Sequence, residues 1–319
     1  MYDIVIMDRR ETEVSGLRIA YRQAGSGPPL VLLHGGVEDS RAWTRQLEGL
    51  ADEFTVLAWD APGCGHSTDV PETWRLAEFA DALSAWLHEL NVDYPHVLGL
   101  SWGSSVALEF YRRHSAVPAS LILASAYAGW AGSLPPEEVA VRHRSVLAEA
   151  DLPREELSKG WPGVFSTAAT PELIEEVMSM AADNSGLVHP GGYRAIAHSM
   201  AEADLRDVLP QIRVPALLLY GELDERSPLH IAKDLRAQIP TCLLYTSDAA
   251  DDLLCVDLGG SRIIKNKKKF QILSITLIMF IVSESSSTHE HPTIFDTVDL
   301  ISSSKQVTSE CYHIVYFSK

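Results

Sequence analysis

Basic charge is what this sequence is short of: 26 Lys and Arg stand against 43 Asp and Glu in 319 residues, a formal net charge of -17. A protein that tracks phosphates concentrates Lys and Arg to displace counterions, so this balance argues against a nucleic-acid partner. Cysteine is also sparse. Cys64, Cys242, Cys255 and Cys311 lie far apart with no CxxC pair, which points to no zinc site and no dithiol redox centre, and fits reduced thiols in a cytoplasm. The opening "MYDIVIMDRRETEV" lacks the basic start and apolar core of a secretory signal. One late apolar run, "FQILSITLIMFIV" from Phe270 to Val282, has thirteen residues, short of the ~20 that cross a bilayer, so no membrane partner is expected. The turn "DAPGCGHS", Asp60 to Ser67, completes neither GxxxxGK nor GxGxxG. It reads as structural, with Cys64 and His66 incidental, and no cofactor is expected.

What is present is a large apolar fraction, 46%, enough for a full core in one large α/β domain. Short apolar runs alternate with helical periodicity: "PLVLLHG" (29–35), "FTVLAWD" (54–60), "HVLGLS" (96–101), "SLILAS" (120–125) and "PALLLYGELD" (215–224). Each is nearly continuously apolar, as a strand buried on both faces must be. Leu76, Phe79, Ala80, Leu83, Leu87 and Leu90 recur at helical spacing, and a second helix is predicted from about Ser40 through Trp43, Leu47 and Leu50. The predicted fold is α/β, a mainly parallel sheet with helices on both faces. Residues 127–209 break the alternation with helical patches and Pro135, Pro136, Pro153 and Pro162, which predicts a helical lid inserted between core segments 1–126 and 210–241.

Chemistry concentrates at "GLSWGSS". Gly99, Ser101 and Gly103 form GxSxG between the strand "HVLGL" and the helical "SSVALEFYRRH". At such a strand-to-helix turn the serine is projected above the sheet as a nucleophile, and the glycines avoid Cβ clashes. "HGG", His34 to Gly36, ends an earlier strand. There the Gly36 amide can join the Trp102 amide in receiving charge on a tetrahedral intermediate, with Gly35 admitting the substrate and His34 as a structural hydrogen-bonding residue. In "YGELDERSP" Asp224 is the candidate acid that orients an imidazole, with Glu222 as runner-up.

Residues 10–241 resemble the α/β-hydrolase superfamily, in the branch of small lidded esterases and lactonases, through "HGG" with Trp43 following, "DAPGCGHS", "GLSWGSS" and "VPALLLYGELDERSP". The resemblance implies a serine hydrolase acting on a small-molecule ester or lactone, with Ser101 and Asp224 in the family's nucleophile-then-acid order. "SWGSS" is similar to the elbow of proline iminopeptidases, but their "HGGPG" is "HGGVE" here, which ranks an amide hydrolase second. A non-catalytic ligand-binding protein is the third reading. Nothing in the sequence fixes the oligomeric state.

The resemblance also implies a histidine after a final strand, roughly 25 to 30 residues past the acid. None lies between His230 and His289. His230 falls in a predicted surface helix, and His289, His291 and His313 lie far along the tail. Composition turns over at the same place: residues 1–241 hold seventeen Arg and two Lys, residues 242–319 one Arg and six Lys, and all seven Trp precede the boundary. "CLLYTSDAADDLLCVDLGG", Cys242 to Gly260, resembles the conceptual translation of a synthetic sequencing-library adapter. This implies a chimaeric reading frame in which 242–319 is a non-native or disordered tail, the last strand and helix of the fold are lost, and the chain is nearly inactive.

Overall fold

Each predicted apolar run becomes a strand in the computed structural model, which describes residues 9–157, 165, 169–222 and 224–247. The strands are β1 (Arg9–Val14), β2 (Leu17–Ala24), β3 (Pro29–Leu33), β4 (Thr55–Trp59), β5 (His96–Leu100), β6 (Ser120–Ala124), β7 (Ala216–Gly221) and β8 (Cys242–Ser247). They form one sheet in the order β1-β2-β4-β3-β5-β6-β7-β8. β1 with β2 and β2 with β4 run antiparallel, and every other neighbouring pair is parallel.

Continuous apolar character follows from the middle position of β5 and β6, all ten of whose residues are buried. Alternate residues feed opposite faces. Val31, Leu33, Val97, Leu121 and Leu218 share one cluster with Phe79, Leu83 and Trp86 of α2 (Leu76–Glu89), Val106 and Phe110 of α3 (Trp102–Arg113), and Leu235 of α9 (Leu229–Gln238). Leu30, Leu32, Leu98, Ile122 and Leu217 share the other with Leu47 and Leu50 of α1 (Thr44–Leu50).

The predicted helices correspond to α2 and to a 3₁₀ turn over Ser40–Trp43 running into α1. Between β6 and β7 the described residues contain helices and no strand: α4 (Trp130–Ser133), α5 (Pro136–Glu149), α6 (Arg154–Leu157), α7 (Pro171–Asp183) and α8 (Pro190–Glu202). The prolines here start helices rather than break them: Pro136, Pro171 and Pro190 each occupy a first turn, where the missing N–H costs nothing. Pro162 lies outside the described residues.

The expectation that the last strand is lost is corrected by β8, which pairs in parallel with β7 from Ala216↔Cys242 to Gly221↔Ser247. Cys242 is buried. The edge of β7 offers unpaired N–H and C=O groups to any segment of suitable alternation, and "CLLYTS" supplies aromatic and β-branched residues that favour a strand. The change of composition at 242 is therefore not where the sheet ends. The position for a last helix, and the rest of the expected tail, lie outside the described residues. β1 and β2 were not apparent from apolar runs because β1 is mostly exposed. Their signature is instead the two-residue turn Ser15–Gly16, with φ of 52° and 81°, the positive values that a tight hairpin requires.

Candidate active site

Parallel strands β3, β5, β6 and β7 bring their carboxyl ends to one edge of the sheet, the place where open α/β sheets bind ligands. Ser101 follows β5 there and is half-buried. Its φ of 51° and ψ of -111° are costly for a residue with a Cβ, about 1–3 kcal/mol, and persist only where the surroundings enforce them. Ser101 N donates to Ala124 O at 2.8 Å, and Ser104 N donates to Ser101 O at 3.0 Å. Ser104 Oγ donates to Gly99 O at 2.6 Å. The flanking glycines admit no side chain: a Cβ on Gly99 would stand 2.3 Å from Gly103 O, and one on Gly103 would stand 2.3 Å from Leu33 O and 2.6 Å from His34 O.

That second contact seats the N-terminus of α3 against the end of β3, beside "HGG". His34 is fully buried; its Nε2 accepts from Ala61 N at 3.0 Å and its Nδ1 lies 2.7 Å from Gly35 O. The acceptor role of Nε2 places the proton on Nδ1, which donates to Gly35. Burial lowers the imidazole's basicity, keeping this neutral form. Gly36 is half-buried under α8, with Ile196 Cγ2 and Met200 Cε each 3.5 Å from where its Cβ would be. Trp102 is held by Nε1 donating to Ser199 Oγ at 3.0 Å and by edge-on packing against Phe79 at 4.9 Å.

On the other side, buried Asp224 accepts from Arg226 N and Ser227 N at 2.8 Å through Oδ1, and from Ser125 Oγ at 3.0 Å through Oδ2. Ser125 N donates to Leu219 O at 2.9 Å, and Ser227 Oγ donates to Ser125 O at 3.0 Å, so the ends of β6 and β7 are laced together around the carboxylate. The strands that carry Ser101 and Asp224 are two places apart, about 10 Å at the usual spacing.

A family model described as alpha/beta hydrolase fold matches residues 28–256. The chain belongs to the α/β-hydrolase fold family. A pimeloyl-[acyl-carrier protein] methyl ester esterase of Vibrio cholerae is 28% identical over 230 residues, 70% of this chain and 87% of that one. An (E)-2-((N-methylformamido)methylene)succinate hydrolase of Acinetobacter baylyi is 27% identical over 225 residues, 69% and 82% of the two chains. Among solved structures, a thermophilic esterase from Thermogutta terrifontis superposes with a TM-score of 0.72 at 25% identity, covering 86% of this chain and 99% of that one. With esterases among its relatives, this α/β-hydrolase is a hydrolase related to enzymes of small esters.

The other candidates of this hydrolase fall elsewhere. Glu222 is exposed and accepts from Thr246 Oγ1 at 3.1 Å on β8. His230 is exposed on α9; His289, His291 and His313 lie outside the described residues. Among the described residues no histidine hydrogen-bonds Asp224, no three His, Cys, Asp or Glu side chains group to hold a metal ion, and no helix is long and apolar enough to cross a membrane. The "DAPGCGHS" turn holds buried Cys64, and its Asp60 accepts from Ser40 N at 2.9 Å and His66 N at 2.8 Å. The insertion is tied to both sides of the site. Asp39 binds Arg41 and accepts from Asn184 Nδ2 at 2.8 Å, and Arg142 of α5 donates to Arg226 O at 3.2 Å, where the Tyr127 hydroxyl also donates.

Two polar residues of the α/β-hydrolase site escape a reading of motifs. Ser125, with φ of 45° at the end of β6, has no local signal. Glu38 has one, an acid three residues beyond a glycine turn, and its Oε2 accepts from Gly35 N at 2.8 Å. Loss of solvent pushes the Glu38 carboxyl up to about 7 from an ordinary 4.5, against the Gly35 bond and with help from Asp39. A raised folded-state value means the native protein binds more protons than the unfolded one between those limits, so stability is present below the ordinary value and lost as pH rises towards 7. Glu38→Gln, neutral throughout, is therefore expected to gain about 3 kcal/mol relative to the parent between pH 4.5 and 7. Urea midpoints of both proteins at the two pH values check this; a constant gap refutes it.

Proposed function

We propose that the protein cleaves a small carboxylic ester or lactone through an acyl-enzyme on Ser101. The observation that carries this reading is a serine forced to positive φ by two glycines without room for a side chain, at the sheet edge between the Gly36 amide and the Asp224 carboxylate. Ser101 Oγ attacks the carbonyl carbon while its hydroxyl proton passes to a solvent water, and the resulting oxyanion takes hydrogen bonds from Gly36 N–H and Trp102 N–H. The tetrahedral species collapses by expelling the alkoxide, which takes the proton back from water and leaves as the alcohol, or stays tethered when the substrate is a lactone. Water then attacks the acyl-enzyme and releases the acid. The helices over 127–209 act as a lid, with Ile196 and Met200 over Gly36 forming part of an apolar acyl pocket. Asp224 awaits an imidazole that no residue between His230 and His289 supplies, so turnover by this chain is slow.

A fluorophosphonate, whose fluoride leaves without needing a proton, is the direct probe, and without a histidine to take the serine proton it reacts slowly with Ser101. Intact-mass spectrometry of the full chain is expected to show one adduct, on Ser101, absent from Ser101→Ala. A folded chain that stays unlabelled even with a histidine-bearing C-terminal segment restored would favour a protein that binds small ligands without reacting. Faster cleavage of an N-terminal-proline amide than of a short-chain aryl ester would instead favour the peptidase reading.

A further inference from the structure

Gly35 is held on both of its peptide planes. Its N–H donates to Glu38 Oε2 at 2.8 Å, and its C=O accepts from His34 Nδ1 at 2.7 Å. Holding both planes fixes the two backbone dihedrals between them, the only soft ones a residue has. The second plane also carries the N–H of Gly36. No described peptide bond is cis, so that N–H runs antiparallel to the Gly35 C=O and points away from the buried His34 ring. The direction of the Gly36 N–H is thus set one residue earlier, at Gly35. A glycine released from one of these bonds regains the widest backbone freedom of any residue, including the left-handed half of the map.

Glu38 is the less expected of the two clamps. It is buried, it lies in the connection from β3 to α1, and its carboxyl covers Gly35 so closely that a Cβ there would meet Oε2 at 2.8 Å. A buried carboxyl needs a compensating partner, and this one takes the buried Gly35 N–H beside the site, which an apolar residue would leave unpaired. We propose that Glu38 is a positioning residue: by gripping the Gly35 N–H it fixes the direction in which the Gly36 N–H meets the developing oxyanion. It touches neither substrate nor Ser101. The inference rests on reading Ser101 as the nucleophile and Gly36 as an oxyanion donor, and it adds the side chain that aims that donor.

His34–Gly35 is the sole His–Gly step in the sequence, so carbonyl-¹³C histidine with ¹⁵N-glycine isolates the Gly35 amide of the full chain by NMR. Glu38→Ala is expected to speed exchange of the Gly35 amide proton by about 10- to 100-fold, to move the Gly36 amide resonance, and to slow fluorophosphonate labelling of Ser101 by about 100-fold, the usual loss of one oxyanion donor. Glu38→Gln keeps a carbonyl oxygen for the Gly35 N–H and is expected to restore most of the protection and of the labelling rate, which a role in general stability would not do. Thermal midpoints of both variants identify any that fail to fold, and Glu38→Gln then decides alone: a Gly35 amide as unprotected as in a solvent-exposed loop overturns the proposal. So does a folded Glu38→Ala with unchanged Gly35 exchange, or with altered exchange but an unmoved Gly36 resonance and parental labelling. If the chain takes no label even with a histidine-bearing C-terminal segment restored, the nucleophile reading fails, and the Gly36 resonance, which requires no reaction, still decides whether Glu38 aims that amide.

Discussion

Replacing residues 248–319 with a histidine-bearing C-terminal segment from an esterase relative is expected to raise turnover of a short-chain aryl ester by several orders of magnitude, and Ser101→Ala to remove the whole gain. The site is otherwise prepared for the imidazole. Asp224 is buried, and of its bonds two come from backbone N–H groups and one from Ser125 Oγ, which can yield to a ring N–H. Ser101 and Asp224 follow strands two places apart, at the same edge of the sheet. Serine and histidine act as a unit, and losing either from a serine protease costs on the order of 10⁶ in turnover. Steady-state kinetics of the graft beside the parent measure the gain. A folded graft that labels on Ser101 yet hydrolyses no faster would show that Asp224 is not the residue that orients the base.

The largest stability effect is expected at Gly103. Gly103→Ala places a methyl group 2.3 Å from Leu33 O and 2.6 Å from His34 O. Both are backbone atoms of β3 and its exit, flanked by fully buried strands, so neither has a rotamer through which to withdraw. Relief requires the start of α3 to lift from the sheet, opening the cluster around Val106 and Phe110. A loss of about 4 kcal/mol or more is expected, a fall in thermal midpoint of about 10 °C for a fold of this size. Gly36→Ala is the internal control. Its Cβ would make ordinary contacts at 3.5 Å with the ends of Ile196 and Met200, and a shift of under ~1 kcal/mol is expected. Equal midpoints for the two variants would mean that α3 does not bear on β3 as tightly as these distances imply.

How much could be read beforehand varies with the range of the interaction. Five of the six parallel strands among the described residues were legible because a strand buried on both faces needs an unbroken apolar run, and 29–33, 55–59, 96–100, 120–124 and 216–221 each have one. The elbow was legible because its glycines and serine fall within five residues of the chain, Gly99 to Gly103. β1 is mostly exposed and left no such trace. Trp86 lies outside the predicted helical stripe yet is fully buried on α2, its ring 5.5 Å from that of Tyr21 and 6.0 Å from that of Trp59, contacts that only folding brings together.

The sequence by itself determined the order of the elements, the place of Ser101 between β5 and α3, and the want of a histidine at the family's spacing. These are properties of neighbouring residues or of simple counting. Only the tertiary structure decided that a segment of foreign composition completes the sheet as β8, that Ser125 from the end of β6 hydrogen-bonds the acid while Glu222 pairs with Thr246 of β8, and that Glu38 grips Gly35. A sheet edge selects a partner by backbone hydrogen bonding, which every residue but proline can supply. A buried carboxyl finds its donor only after the chain has folded around it. Neither choice is written in local pattern, because each depends on what folding brings alongside.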